Sequence, residues 1–144
     1  MKRTIKTFLL MIFWLCLFSC NESPQIDFHS YQELSGYNFI SNEWFPDILG
    51  ADSYNILETY DLNNNHAFGK FDFKQRTVYD SIMRNYQSVN ADTLQSVLDK
   101  IGKPRYPSWF IPKEEVSGHN YIVTKQNNFY LLMDRKSNRI YFFR

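Results

Sequence analysis

Cysteine is scarce in this sequence of 144 residues, which contains only Cys16 and Cys20. Both lie in the first twenty residues, so the remainder of the chain can form no disulfide and must be stabilised by packing alone. The sequence also has no glycine-rich phosphate-binding loop, and no serine has the Gly-x-Ser-x-Gly context of a catalytic nucleophile. Because no catalytic signature is present, we predict that the protein is not an enzyme.

The sequence has no excess of one charge sign, since it has 16 basic and 15 acidic residues and a formal net charge of +1. Such a weak balance gives no electrostatic basis for binding a polyanion, and we expect no nucleic-acid partner. Hydrophobic residues make up 44% of the chain and charged residues 22%. These values are close to those of soluble globular domains, so composition excludes a disordered or collagen-like chain.

No apolar run is long enough to suit a membrane-spanning helix. The run at residues 8–18 has 11 residues, whereas a helix needs roughly 20 to cross the hydrocarbon core. A short basic region precedes this run, and polar residues 21–23 follow almost at once. That order is typical of a signal peptide, so we predict a removable leader at residues 1–19.

The leader is followed by a cysteine in a distinctive context, Leu17-Phe18-Ser19-Cys20. With Leu three residues before the cysteine and a small Ser directly before it, this segment resembles the lipobox of bacterial lipoproteins, although Phe18 departs from the pattern. The resemblance implies diacylglycerol on the sulfur of Cys20, cleavage before Cys20 and acylation of the new amino terminus. It also implies a lipid-anchored protein of the cell envelope, and Asn21 in second place favours the outer membrane.

The rest of the chain divides into a tether and one domain. Residues 20–36 are polar without a sustained period, so we predict that the lipidated Cys20 and a tether occupy them, and that a single domain spans residues 37–144. The Trp-Phe-Pro segments, the central helices and the aromatic terminal hairpin resemble those of small uncharacterised bacterial lipoproteins. No function follows from that resemblance.

Alternating and helical patterns predict the elements of the domain. The fold class that they indicate is α+β, an antiparallel sheet of about five strands in ββ-αα-βββ order with helices packed on one face. In the second strand, Ala67, Gly69, Phe71 and Phe73 share one face and Phe68 lies on the other. The predicted strands are residues 54–60, 67–73, 119–125, 129–134 and 139–143, and the predicted helices begin at Thr77 and at Asn90.

Aromatic residues are unusually frequent at 18% of the chain. Two segments, at residues 43–46 and 106–112, place tryptophan beside proline outside any regular period. Tyr and Trp supply rigid contact area at interaction sites and stack on sugar rings, so the candidate binding residues are Trp44, Phe45, Trp109 and Phe110. A structural alternative is that both segments plug the ends of the sheet. The functions we consider are binding of an envelope protein, then glycan binding, then an envelope hydrolase.

One segment partly matches a calcium-binding loop. Asp61, Asn63, Asn65 and Asp72 occupy the first, third, fifth and twelfth positions of an EF-hand pattern. However, His66 replaces the required glycine and the flanking residues read as strands. We interpret the segment as an asparagine-rich hairpin turn. The three histidines are far apart in the sequence, so we predict neither a metal ion nor a cofactor.

Overall fold

The computed structural model of the protein describes residues 24–37, 44–61, 65–86, 96, 97, 99, 107–116 and 119–144. Six strands form one antiparallel sheet in the spatial order β1-β2-β3-β6-β5-β4. The strands are β1 Gln25–Ser30, β2 Ser53–Asp61, β3 His66–Phe73, β4 Tyr121–Gln126, β5 Phe129–Asp134 and β6 Arg139–Phe143. The described helices are α1 Tyr31–Ser35, α2 Arg76–Asn85 and a 3-10 turn at Lys113–Glu115.

The predicted α+β class with helices packed on one face is wrong. The described residues form a nearly all-β domain, a six-stranded antiparallel sheet with two short α-helices of five and ten residues. The physical reason is that apolar side chains lie on both faces of the sheet, and irregular segments at residues 44–49 and 107–116 contribute to covering them. The additional strand, β1, and helix α1 lie within residues 20–36, which the sequence assigned to the tether.

The predicted strands otherwise match the observed ones closely. The strands at residues 129–134 and 139–143 have the predicted bounds, and the remaining three differ by one or two residues at their ends. Helix α2 begins at Arg76 and ends at Asn85, so Thr77 is inside the helix rather than at its cap. Most of the second predicted helix, from Asn90, is outside the described residues.

The two faces of the sheet carry separate hydrophobic clusters. The front face, defined by Ile56, Phe71 and Phe142, is covered by α1, α2 and residues 44–49. The back face, defined by Phe68, Leu132 and Phe143, is covered in part by residues 109–111 and 116. Phe71 and Phe73 lie at the front and Phe68 at the back, as the alternation in β3 predicted.

Tyr79 fixes α2 against the front face. Its side chain is fully buried, and its hydroxyl lies 2.6 Å from the carbonyl oxygen of Asp134 and 3.0 Å from that of Arg139. Burial raises the pKa of this hydroxyl far above its usual value, so it stays protonated and can donate. None of the helices in the described part has the length and apolar content needed to cross a bilayer.

Candidate binding site

The first aromatic segment, which contains Trp44 and Phe45, lies over the front face. Its two rings differ in how deeply they are buried. Phe45 is 6% exposed and packs edge-on against Phe142, with 6.0 Å between ring centroids. The backbone N–H of Leu49 donates to the carbonyl of Pro46 at 3.0 Å and closes a turn directly after the proline. Trp44 remains half-buried at the edge of the same cluster. Phe45 therefore belongs to the core, and Trp44 is the partly exposed member of the pair.

Arg144 packs against the ring of Trp44. Its guanidinium carbon is 4.1 Å from the ring centroid, and its Nη2 donates to Oδ1 of Asn65 at 2.9 Å. The backbone of Arg144 pairs with Ala67 at the start of β3, which places the side chain on the front face. The Tyr60 ring lies 5.3 Å from the Trp44 ring. Trp44, Tyr60 and Arg144 thus form one cation–aromatic group, called here the Trp44 cluster.

A buried carboxyl group, that of Glu58, lies two residues before Tyr60 in β2. Glu58 is 1% exposed, and among the described residues neither of its carboxylate oxygens has a hydrogen-bond partner. It is paired across the strands with Ile26 and Gly69, and the ring of Phe142 fills the space over Gly69. Burial raises the pKa of Glu58 to about 8, although the charge of Arg144 acts to lower it. The carboxyl therefore keeps its proton at neutral pH.

The second aromatic segment, which contains Trp109 and Phe110, lies on the back face. Again one ring is buried and the other is half-buried. Phe110 is 3% exposed and packs edge-on against Phe68, with 5.1 Å between ring centroids. Trp109 is half-buried, and its Nε1 donates to Oε1 of Gln25 at 3.2 Å. The ammonium of Lys70 lies 5.4 Å from the Trp109 ring, and desolvation is the main cause that lowers the pKa of Lys70.

Trp44 and Trp109 lie on opposite faces of the sheet but at the same end of it. The Trp44 cluster includes Tyr60, whose backbone N–H donates to the carbonyl of Pro24 at 3.4 Å, and Trp109 contacts Gln25 directly. We call this the Gln25 end: β1, β3 and β5 begin there, and β2, β4 and β6 end there. Cys20, the predicted lipidation site, lies outside the described residues.

A cleft of about 560 Å³ lies beside residues 45–49. One wall is held in place by Asp47, whose Oδ2 accepts from Nδ2 of Asn127 at 2.8 Å. Gln126 fixes the adjoining backbone, since its Oε1 accepts from the N–H of Ile48 at 3.3 Å. A carboxylate, two amides and aromatic rings can bind peptide groups or hydroxyls. The lining residues are Tyr31, Phe45, Pro46, Asp47, Leu49, Asn127, Asn128 and Phe129.

The residues that partly match a calcium-binding loop lie in distant parts of the sheet. Asp72 lies near the far end of β3, where its two carboxylate oxygens accept from Arg139 at 2.6 and 2.9 Å. Asn65 accepts instead from Arg144, and Asn63 is outside the described residues. Within the parts of the chain that the structure describes, no group of three or more His, Cys, Asp or Glu side chains could hold a metal ion.

The sequence patterns did not predict that Glu58 is buried, that Arg144 packs on Trp44, or that a cleft lies beside residues 45–49. A signal for Glu58 was present, because it stands two residues after Ile56 in a predicted strand and so belongs to the same face as an apolar residue. Arg144 follows the last strand, where no local pattern assigns its side chain to a face. The cleft joins residues about eighty positions apart, and that proximity has no local signal in the sequence.

Residues 22–72 match the family model described as the YbbD head domain. This similarity points to a bacterial family and covers about a third of the chain, from Glu22 to Asp72, the residue before the end of β3. No curated protein and no solved structure matches the chain.

Proposed function

We propose that the protein is a lipid-anchored lipoprotein of the bacterial envelope, held in the outer membrane through acylated Cys20, whose domain binds another envelope protein and catalyses no reaction. The observation that carries the proposal is the lipobox-like segment at residues 17–20, placed after a basic and apolar leader. Two or three acyl chains give an attachment that is effectively permanent. The similarity of residues 22–72 to a bacterial family agrees with this assignment.

The cleft and the neighbouring edge strand support protein binding. Strand β4 is the last in the sheet order, and among the described residues it pairs with β5 alone. The Asn127–Asn128 turn joins these strands and also lines the cleft. An extended segment of a partner can pair with an exposed strand edge through its backbone while one of its side chains fills an adjacent pocket. The partner on this proposal is a protein that presents such a segment.

The anchor is tested by the intact mass of protein from the membrane fraction of a diderm bacterium. We expect the wild-type mass to equal residues 20–144 plus acyl chains, because the lipobox resemblance implies cleavage before Cys20. Cys20→Ala removes the acceptor sulfur, and we expect it to abolish both acylation and membrane recovery. A wild-type protein with an unmodified mass would overturn the lipoprotein assignment.

The binding site is tested by site-specific photo-cross-linking in cells. A photoreactive side chain at Asn128, which is exposed and lines the cleft, is expected to yield a discrete protease-sensitive adduct. The matched control places the same group at Lys136, which is exposed in the β5–β6 turn at the other end of the sheet. Identical adducts from both positions, or none from Asn128, would contradict the cleft as the partner site.

Glycan binding is the second candidate because of the lining of the cleft. Asp47, Asn127 and Asn128 offer hydrogen-bonding groups, and the partly exposed Tyr31 offers a ring for packing against a sugar. Trp44 and Trp109 lie on opposite faces of the sheet, so they cannot enclose one sugar ring between them. In the cross-linking experiment a glycan ligand predicts an Asn128 adduct that survives protease and disappears on digestion with a glycan hydrolase.

A further inference from the structure

We propose that the Gln25 end of the sheet rests on the membrane surface, with Trp44 and Trp109 in the headgroup region of a phospholipid leaflet. This inference depends on the proposed acylation of Cys20 and extends it. It assigns the two tryptophans to lipid contact. The Asn127–Asn128 turn of the cleft lies at the same end of the sheet, so the partner protein binds next to the membrane surface, along the β4 edge.

The chain between the lipid and the domain is short. Four residues, 21–24, separate Cys20 from the first residue of β1. Five extended residue steps span at most about 18 Å. Strand β2 alone has nine residues and is about 30 Å long. With Cys20 fixed at the bilayer surface, Gln25 therefore stays within about 18 Å of that surface, which is less than the length of one strand.

Both tryptophans lie at the point where this short segment joins the sheet. Nε1 of Trp109 donates to the side chain of Gln25 at 3.2 Å on the back face. On the front face, the Trp44 ring packs on Tyr60, whose backbone N–H donates to Pro24. The indole rings thus lie on the two faces of the sheet near Pro24 and Gln25. Partly exposed tryptophan and tyrosine are the side chains most enriched where protein meets the interface of a bilayer.

A cation accompanies each of the two tryptophan rings. The Arg144 guanidinium lies 4.1 Å from the Trp44 ring, and the Lys70 ammonium lies 5.4 Å from the Trp109 ring. A third pair joins Lys125 to Tyr130, with 5.6 Å between the ammonium and the ring centroid. Cationic groups beside aromatic rings suit anionic headgroups, because the alkyl stems pack at the interface while the charges remain near phosphate.

The two tryptophans themselves provide the test. Of the three tryptophans in the sequence, Trp14 lies in the predicted leader, so Trp44 and Trp109 remain after cleavage. The acylated full-length mature protein is inserted into phosphatidylethanolamine–phosphatidylglycerol vesicles whose acyl chains are brominated near the headgroup. We expect about a twofold loss of tryptophan emission and a shift to shorter wavelength, relative to vesicles without bromine. Trp44→Phe and Trp109→Phe, each leaving one tryptophan, are expected to keep the quenching.

The matched control moves the reporter to the opposite end of the sheet. Lys136→Trp in a Trp44→Phe, Trp109→Phe background places an indole in the exposed β5–β6 turn, and we expect bromine to leave its emission unchanged. An acylated wild-type protein without quenching overturns this inference alone. Equal quenching at position 136 also overturns it, because the domain then has no preferred orientation. A mass without acyl chains overturns both the lipoprotein proposal and the membrane contact.

Discussion

Gly69→Ala is expected to destabilise the protein by about 3 kcal/mol, because the core has no room for one additional methyl group at this position. A Cβ on Gly69 would overlap the Cζ and both Cε atoms of Phe142. That ring is fully buried and packed against Phe45, Phe71 and Phe129, so a shift of the ring must displace these neighbours. Urea unfolding followed by circular dichroism measures the loss.

Two comparisons separate this steric cause from a general effect of replacing glycine. Gly50→Ala is the matched control, since a Cβ there meets no atom of the described residues within 4 Å, and we expect a change within about 0.5 kcal/mol. Phe142→Leu makes space beside Gly69, so the double variant should be more stable than the sum of the single effects predicts. Strict additivity of Gly69→Ala and Phe142→Leu would contradict the proposed overlap.

Glu58→Gln is expected to make stability less dependent on pH and to stabilise the protein at alkaline pH. The folded protein holds a proton on Glu58 up to about pH 8, whereas the same group in the unfolded chain ionises near 4.5. Between these values the folded state binds more protons, so the free energy of unfolding falls as pH rises. The wild type should lose about 3 kcal/mol relative to Glu58→Gln between about pH 5 and pH 8.

The control for this effect is an exposed carboxylate. Glu114 lies in the 3-10 turn and is exposed, so Glu114→Gln should keep the pH dependence of the wild type. Urea unfolding of the three proteins over the same pH series gives the comparison. Parallel curves for the wild type and Glu58→Gln would contradict a carboxyl that is protonated in the folded state.

Local sequence patterns predicted most of the strands. The strand pairs β2–β3, β4–β5 and β5–β6 were predicted because alternating aromatic and β-branched residues are bounded by Asn, Asp and Ser. The faces of β3 were also correct, since an alternating strand can bury Phe71 on one side only by placing Phe68 on the other.

The predicted fold class was wrong partly because the polar composition of one strand was misleading. Residues 25–30 have isolated apolar positions and read as a tether, yet Phe28 is buried and the segment forms the edge strand β1. Edge strands can be this polar, because one face and one side are open to solvent. Helices alone do not cover the sheet, because loops that contain Phe45 and Phe110 also pack on its two faces.

The candidate binding residues were predicted as four equivalent aromatics, and the structure separates them into two kinds. Phe45 and Phe110 are buried, whereas Trp44 and Trp109 are half-buried beside Arg144 and Lys70. Adjacent residues in an irregular loop point in different directions, and their spacing gives no period from which burial can be read.

The sequence by itself determined five of the six described strands and the alternation of faces in β3, because each depends on residues that are close together in the chain. The leader and the lipobox-like Cys20 stay predictions of the same local kind. Only the tertiary structure decided that Trp44 and Trp109 lie at one end of the sheet, that Glu58 is buried beside Gly69, and that the ring of Phe142 occupies the space over that glycine. These contacts join distant residues, and strand order and register, which local patterns do not encode, bring them together.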